Sequence, residues 1–175
     1  FNTALPATGS NSVETLYNNG SPLTSMSGFS SLIHWWKLDA SDTYDSSTGN
    51  WTIEDHAGSN DGTSSGMTQA NLVQSDLSFT SGYSPYALEF DAASSDYIDL
   101  GTTLNSMLEL SDSFSVSAWI NFENTSTDRT IISNFTSAIK GIQLRVLPNE
   151  SIRIIIAESN SKYLFVDSTS LSTNT

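Results

Sequence analysis

Apolar and polar residues alternate most strictly from Phe114 to Phe122. Phe114, Val116, Ala118, Ile120 and Phe122 fall on one side, and Ser115, Ser117, Trp119 and Asn121 on the other. A period of two predicts a β-strand with one face on a core. Upstream, Ala87, Leu88 and Phe90 lead into Asp91 and an Ala-Ala-Ser-Ser turn, and then Tyr97, Ile98 and Leu100 are closed by Gly101. That order predicts a strand, a tight connection and a second strand. Downstream, a short strand is expected around Ile131 and Ile132. Ile142, Leu144 and Val146 should then face Ile152, Ile154 and Ile156 in a hairpin across a Pro148-Asn149 turn. A further strand is expected from Tyr163 to Val166, after the Ser159-Asn160-Ser161 turn.

The first 20 residues hold one brief helical pattern, with Val13, Leu16 and Tyr17 on a face. Asn11 or Ser12 can cap its start, Glu14 lies in the first turn, and Asn18, Asn19 and Gly20 end it. Residues 21–31 are Ser-rich and read as a linker. Leu32 to Leu38, LIHWWKL, predicts a strand too apolar for a wet edge. From Ala40 to Thr80 turn residues such as Asp42, Asp45, Gly49, Asn60, Asp61, Gly62 and Gly66 are so dense that the stretch reads as one long loop, of the kind that is usually functional or disordered. Many short strands and almost no helix argue for an all-β sandwich.

Length and charge narrow the picture. A chain of 175 residues is long enough for one sizeable core. Six basic against 19 acidic residues give a formal charge of -13. Such a surface repels phosphate backbones and anionic lipid, so neither nucleic acid nor membrane is expected as a partner, while cations are attracted. Cysteine is absent, so disulfides do not reveal the compartment. The apolar run around Ile154 to Ala157 is too short to span a bilayer. The start at Phe1, without Met, suggests a processed or excerpted piece of a longer protein.

Two groups of residues could carry chemistry. Asp55, Asn60 and Asp61, with Asp91 and Asp96, are hard oxygen donors on turns, of the kind calcium takes; the alternative is that they bond their own turns. Trp51, Tyr44, Tyr83 and Tyr86 lie in or beside the long loop. They could stack on a sugar ring, or plug a polar loop onto the sandwich. His34 and His56 have no Cys partner or third ligand nearby and read as structural. Asn-x-Ser/Thr sequons at Asn19, Asn50, Asn124, Asn134 and Asn149 are what a text so rich in Ser, Thr and Asn yields by chance.

The order of apolar strand, Asp-rich turn, Asp-Tyr-Ile-Asp, loop and Ser-Phe-Ser-Val-Ser-Ala-Trp-Ile resembles the laminin-G-like, concanavalin A-like domains. The resemblance implies a two-sheet antiparallel jelly roll over residues 32–175, lacking its last strands. It also implies that residues 1–20 close a preceding domain of the same kind. Several similar domains hold calcium on the two Asp-rich turns named above. Glucanases of this fold need Glu, Asp and Glu alternating on a strand. Glu89-Phe90-Asp91 supplies only half of that, so no enzyme is expected and a glycan hydrolase is the remotest alternative. The strings Trp-Trp-Lys-Leu-Asp, Asp-His-Ala-Gly-Ser-Asn-Asp-Gly-Thr and Leu-Tyr-Asn-Asn-Gly are similar to those in structural proteins of marine tailed phages. The function implied is a module on a virion surface or outside a cell, adhering to glycans or a host surface. The alternative implied is a subunit that assembles with its neighbours by sharing strands.

Overall fold

The computed structural model describes residues 1–75, 85–105, 113–122, 126–135, 141–159 and 162–169. The chain divides into two compact units, the first holding Phe1–Thr103 with Ser113–Ser115, the second holding Leu104 and the chain from Val116 onward. Among the described residues one short helix accompanies ten strands, and every strand pairing is antiparallel.

In the first unit, helix α1 (Val13–Tyr17) forms where the pattern places it. Ser12 caps it by accepting the Thr15 N–H, and Asn18 ends it in the left-handed region. Of its expected apolar face only Leu16 is buried. The 40–80 stretch is not one loop. It holds β1 (Thr43–Asp45), β2 (Asn50–Ile53), β3 (Gly62–Ser65) and β4 (Leu72–Gln74). These strands escape a pattern search because they are three or four residues long and the turns between them dominate the composition. Asp45 shows the device: its Oδ1 accepts from Ser47 N and Oγ, which turns the chain from β1 into β2.

The expected strand, turn and strand of 87–100 both form and part company. β5 (Tyr86–Leu88) pairs with β4, while β6 (Tyr97–Asp99) pairs with β3, giving one sheet ordered β1-β2-β3-β6 and a separate two-stranded ribbon. Trp51, Ile53, Met67 and Leu88 form the buried core of this unit, with Trp36, Leu38, Tyr44, Leu72 and Ile98 packed around it. Each large apolar side chain so buried contributes about 1.5–3 kcal/mol. LIHWWKL makes only an isolated bridge, Trp36 to Asp55, and no strand. Leu38 sits at φ 56, which breaks an extended run, and the Asp55 carboxylate takes the Trp35 N–H that a ladder would have used.

In the second unit a sheet runs β10-β9-β8-β7, built from β7 (Arg129–Ser133), β8 (Gly141–Val146), β9 (Ile152–Ser159) and β10 (Lys162–Asp167). The hairpin register is the one that alternation predicts: Ile142 opposite Ile156, Leu144 opposite Ile154, Val146 opposite Ile152. Gly141 makes the entry to β8 possible. At φ 123 its Cα lies so close to Asn134 that a Cβ would collide with the Asn134 Oδ1, the atom that accepts the Ile142 N–H at 2.7 Å.

The strongest strand signal in the sequence is not realised as a strand. Residues 113–122 belong to none, and Val116, Trp119 and Ile120 are more than 40% exposed. Alternation states which side chains a strand would bury, but a strand also needs a neighbour to satisfy its backbone. Here the described neighbour is Phe1, which exchanges both backbone hydrogen bonds with Ser115 at 3.2 Å.

Candidate functional site

Asp55 follows β2 and closes a knot of turns. Its side chain has 0% exposure. Oδ1 accepts the N–H groups of Trp35, Ala57 and Gly58 at 3.0, 3.2 and 2.9 Å. Oδ2 accepts the Asn60 N–H at 3.0 Å and the His34 Nδ1–H at 2.6 Å. Five donors on two oxygens use every lone pair a carboxylate has. Burial alone would push this carboxyl up; the His34 hydrogen bond and the N–H groups of Trp35, Asn60 and Gly58 outweigh it and hold Asp55 far below the usual carboxylate range. Local sequence explains the knot: Asp-His-Ala-Gly-Ser-Asn-Asp-Gly is a run of turn formers, and a Cβ on Gly58 would fall 2.5 Å from Asp55 Oδ2 and 2.7 Å from the Ile33 carbonyl oxygen. His34 is further fixed by stacking on Trp36, with ring centroids 5.2 Å apart.

Beside the knot lies a cleft of about 400 Å³. Ser41, Thr43, Thr52 and Ser59 bring hydroxyls to its wall, and Glu54 and Asp61 bring carboxylates; Asp55 and Gly58 complete the lining, and no basic residue is part of it. At its rim His56 Nε2 lies 3.2 Å from Ser41 Oγ, and His56 Nδ1 lies 3.9 Å from Glu54 Oε1. This resembles a nucleophile-base-acid row, but Ser41 commits its one proton to Asp39 Oδ1 at 2.5 Å. His56 therefore has no serine proton to remove, and the row does not activate Ser41. Trp35 tilts against His56 at 5.8 Å, and Lys37 Nζ sits 5.0 Å above the Trp35 ring.

The residues expected to bind metal are not brought into one group. Among the described residues no three His, Cys, Asp or Glu side chains cluster as a metal site. Asp55 is saturated, Asp61 Oδ1 accepts the Asp55 N–H at 2.9 Å, and Asn60 Nδ2 donates to the Leu100 carbonyl at 3.0 Å. The second turn differs. Asp91 Oδ1 caps Ala93 N at 2.8 Å, and Asp96 Oδ2 accepts from Asn71 Nδ2 and Asp91 N at 2.8 and 2.9 Å. Asp96 Oδ1 is buried with no hydrogen-bond partner. It faces Gly66, where an added Cβ would lie 2.8 Å from that oxygen and 2.6 Å from the Ser94 carbonyl oxygen. Two hard oxygens thus lie beside Gly66, while every lone pair of Asp55 is already used.

Of the expected aromatic platform, Trp51 is only 3% exposed and donates Nε1–H to the Thr68 carbonyl at 2.8 Å, so it offers no face to a sugar. Tyr44 is half-buried against Trp51 at 5.3 Å, Tyr86 on β5 is 42% exposed, and Tyr83 lies outside the described residues. Sequence reasoning missed the cleft wall. Once β1 and β2 are read as strands, Thr43 and Thr52 become cross-strand partners, both exposed on the sheet. That is the signal that could have found them.

A model of the Laminin_G_3 family, described as the Concanavalin A-like lectin/glucanases superfamily, matches residues 91–175, just under half the chain. With its antiparallel sheets, the chain has an all-β, concanavalin A-like fold. Among solved structures it is similar to an S-layer domain-containing protein (residues 221–444) from Clostridium thermocellum, with a TM-score of 0.58 and 16% identity. That likeness covers 81% of this chain and 58% of the other, so this chain spans less than two thirds of that protein's solved length, and it speaks for the fold alone. No curated protein matches the chain.

Proposed function

We propose that this chain is a non-enzymatic surface module that adheres to glycans or a glycan-coated host surface through the cleft beside Asp55. The observation that carries the reading is the make-up of that cleft, hydroxyls and carboxylates without one basic lining residue. Such a wall hydrogen-bonds sugar hydroxyls and repels sulfate, phosphate and uronate, so neutral or amine-bearing sugars are the ligands it suits. His56, whose Nε2 lies 3.2 Å from Ser41 Oγ, would flank the cleft with a ring in place of Trp51. The module would serve outside a cell or on a virion, as part of a fibre or capsid-surface protein. Among the described residues no helix is long and apolar enough to cross a membrane.

A glycan array followed by calorimetry tests this. The chain should bind neutral or amine-bearing glycans without turnover. Glu54→Gln should weaken binding at least about tenfold, the scale of one charge-assisted hydrogen bond. If no glycan binds, or if Glu54→Gln binds as the parent does, the cleft is not an adhesion site.

Calcium belongs to the same reading as a structural ion at the Asp91–Asp96 turn, held by Asp96 Oδ1 and the Ser94 carbonyl. Calcium should then raise the melting temperature of the parent chain and leave Asp96→Asn unmoved. Identical melting curves in calcium and in EDTA would remove the ion from the account.

A further inference from the structure

We infer, resting on the adhesion reading above, that the cleft beside Asp55 selects amine-bearing sugars over neutral ones, with the ammonium group seated between Glu54 and His56 Nδ1. The placement of protons decides it. Ser41 Oγ gives its hydrogen to Asp39 Oδ1 at 2.5 Å, so the 3.2 Å contact between Ser41 Oγ and His56 Nε2 is one in which the ring donates. In a neutral imidazole the other nitrogen is then an acceptor. That nitrogen, Nδ1, faces Glu54 Oε1 across 3.9 Å, so two acceptors oppose each other with no hydrogen between them. One donor nitrogen can lie within about 3 Å of both. The ring is held for this purpose, because the Trp35 carbonyl accepts the His56 backbone N–H at 2.9 Å and the Trp35 ring tilts against the imidazole.

A sugar hydroxyl has one hydrogen and can satisfy only one of the two acceptors. An ammonium has three hydrogens and a positive charge, so it satisfies both and makes the charge-assisted bond to Glu54. Nothing basic competes for that carboxylate: among the described residues no Lys or Arg pairs with Glu54, and Lys37 is held over the Trp35 ring. Asp61 adds a second carboxylate to the wall, with Oδ1 taken by the Asp55 N–H and Oδ2 left to a ligand. Asp39 and Asp42 add further negative charge near the ring. A neutral sugar leaves this charge unanswered.

A glycan array printed in matched sets tests the proposal, each sugar carrying at its primary carbon an amine, a hydroxyl or an N-acetyl group. Binding is measured at about pH 8, where an alkylamine is charged and an ordinary imidazole is neutral. The amine form should bind at least about tenfold more tightly than the hydroxyl form, and the N-acetyl form no better than the hydroxyl. That ratio should shrink in about 0.5 M salt. Glu54→Gln, at an exposed side chain, should bring it close to unity. His56→Phe keeps a ring against Trp35, removes Nδ1 and should lower the ratio severalfold; if its melting curve shows that it does not fold, Glu54→Gln alone decides. Equal binding of amine and hydroxyl forms overturns the selectivity and leaves the adhesion reading standing. A ratio that survives in Glu54→Gln overturns the seat, and an array on which no form binds overturns both readings.

Discussion

Asp55→Ala is expected to cost the first unit about 3–5 kcal/mol, seen as a lower urea midpoint and a collapse of the near-UV signal of its tryptophans. The substitution strands the N–H groups of Trp35, Ala57, Gly58 and Asn60 together with His34 Nδ1. Each group left without an acceptor costs on the order of 1 kcal/mol or more, and losses of that total are typical when a buried network is broken. Against a stability of about 5–15 kcal/mol for a whole domain, this is a large fraction. Asp55→Asn should fall between, because its Nδ2 would point at donors where Oδ2 now accepts.

The pH dependence has a definite direction. The Asp55 carboxyl titrates far below the usual range in the folded chain, while its unfolded value is about 4. Its contribution is therefore full above the unfolded value and drains only as pH falls toward the folded one. Between neutral pH and about pH 4 the parent should lose little from this group, with the loss concentrated in stronger acid. Asp55→Asn should lack that acid-limb loss. Equal acid slopes for parent and variant would mean that the carboxylate does not hold the knot.

Trp51→Ala should cost about 3–5 kcal/mol, with the urea midpoint falling and the m-value unchanged. Trp51 fills the core beside Ile53, Met67 and Leu88, and its indole also satisfies the Thr68 carbonyl. Trp51→Phe keeps most of the volume and loses that hydrogen bond, so about 1–2 kcal/mol is expected. The same measurement separates a plug from a sugar platform. A Trp51→Ala chain of parental stability that no longer bound glycan would return Trp51 to the ligand.

The second unit and the first unit differ in how far the sequence alone determines them. In the β8–β9 hairpin each register follows from side chains close in sequence, from Val146 opposite Ile152 to Gly141 opposite Ala157, so local alternation and one turn decide the pairing. Helix α1 was legible for the same reason, since its caps are its immediate neighbours. β1 to β3 were hidden because strands of three or four residues leave no period to count, and the turns between them shape the local composition.

Sequence by itself determined that this protein is built of short antiparallel strands, that it carries an excess of acid, and that its turns are made by Asp, Asn and Gly. Tertiary structure alone decided what those groups are for. Asp55 and Asp96 look equivalent as letters, yet one has every lone pair filled by N–H groups and the other keeps a buried oxygen without a partner. The strict alternation of 114–122 likewise did not make a strand, because a backbone ladder requires a neighbouring chain, and no pattern within one segment can state whether that neighbour is there.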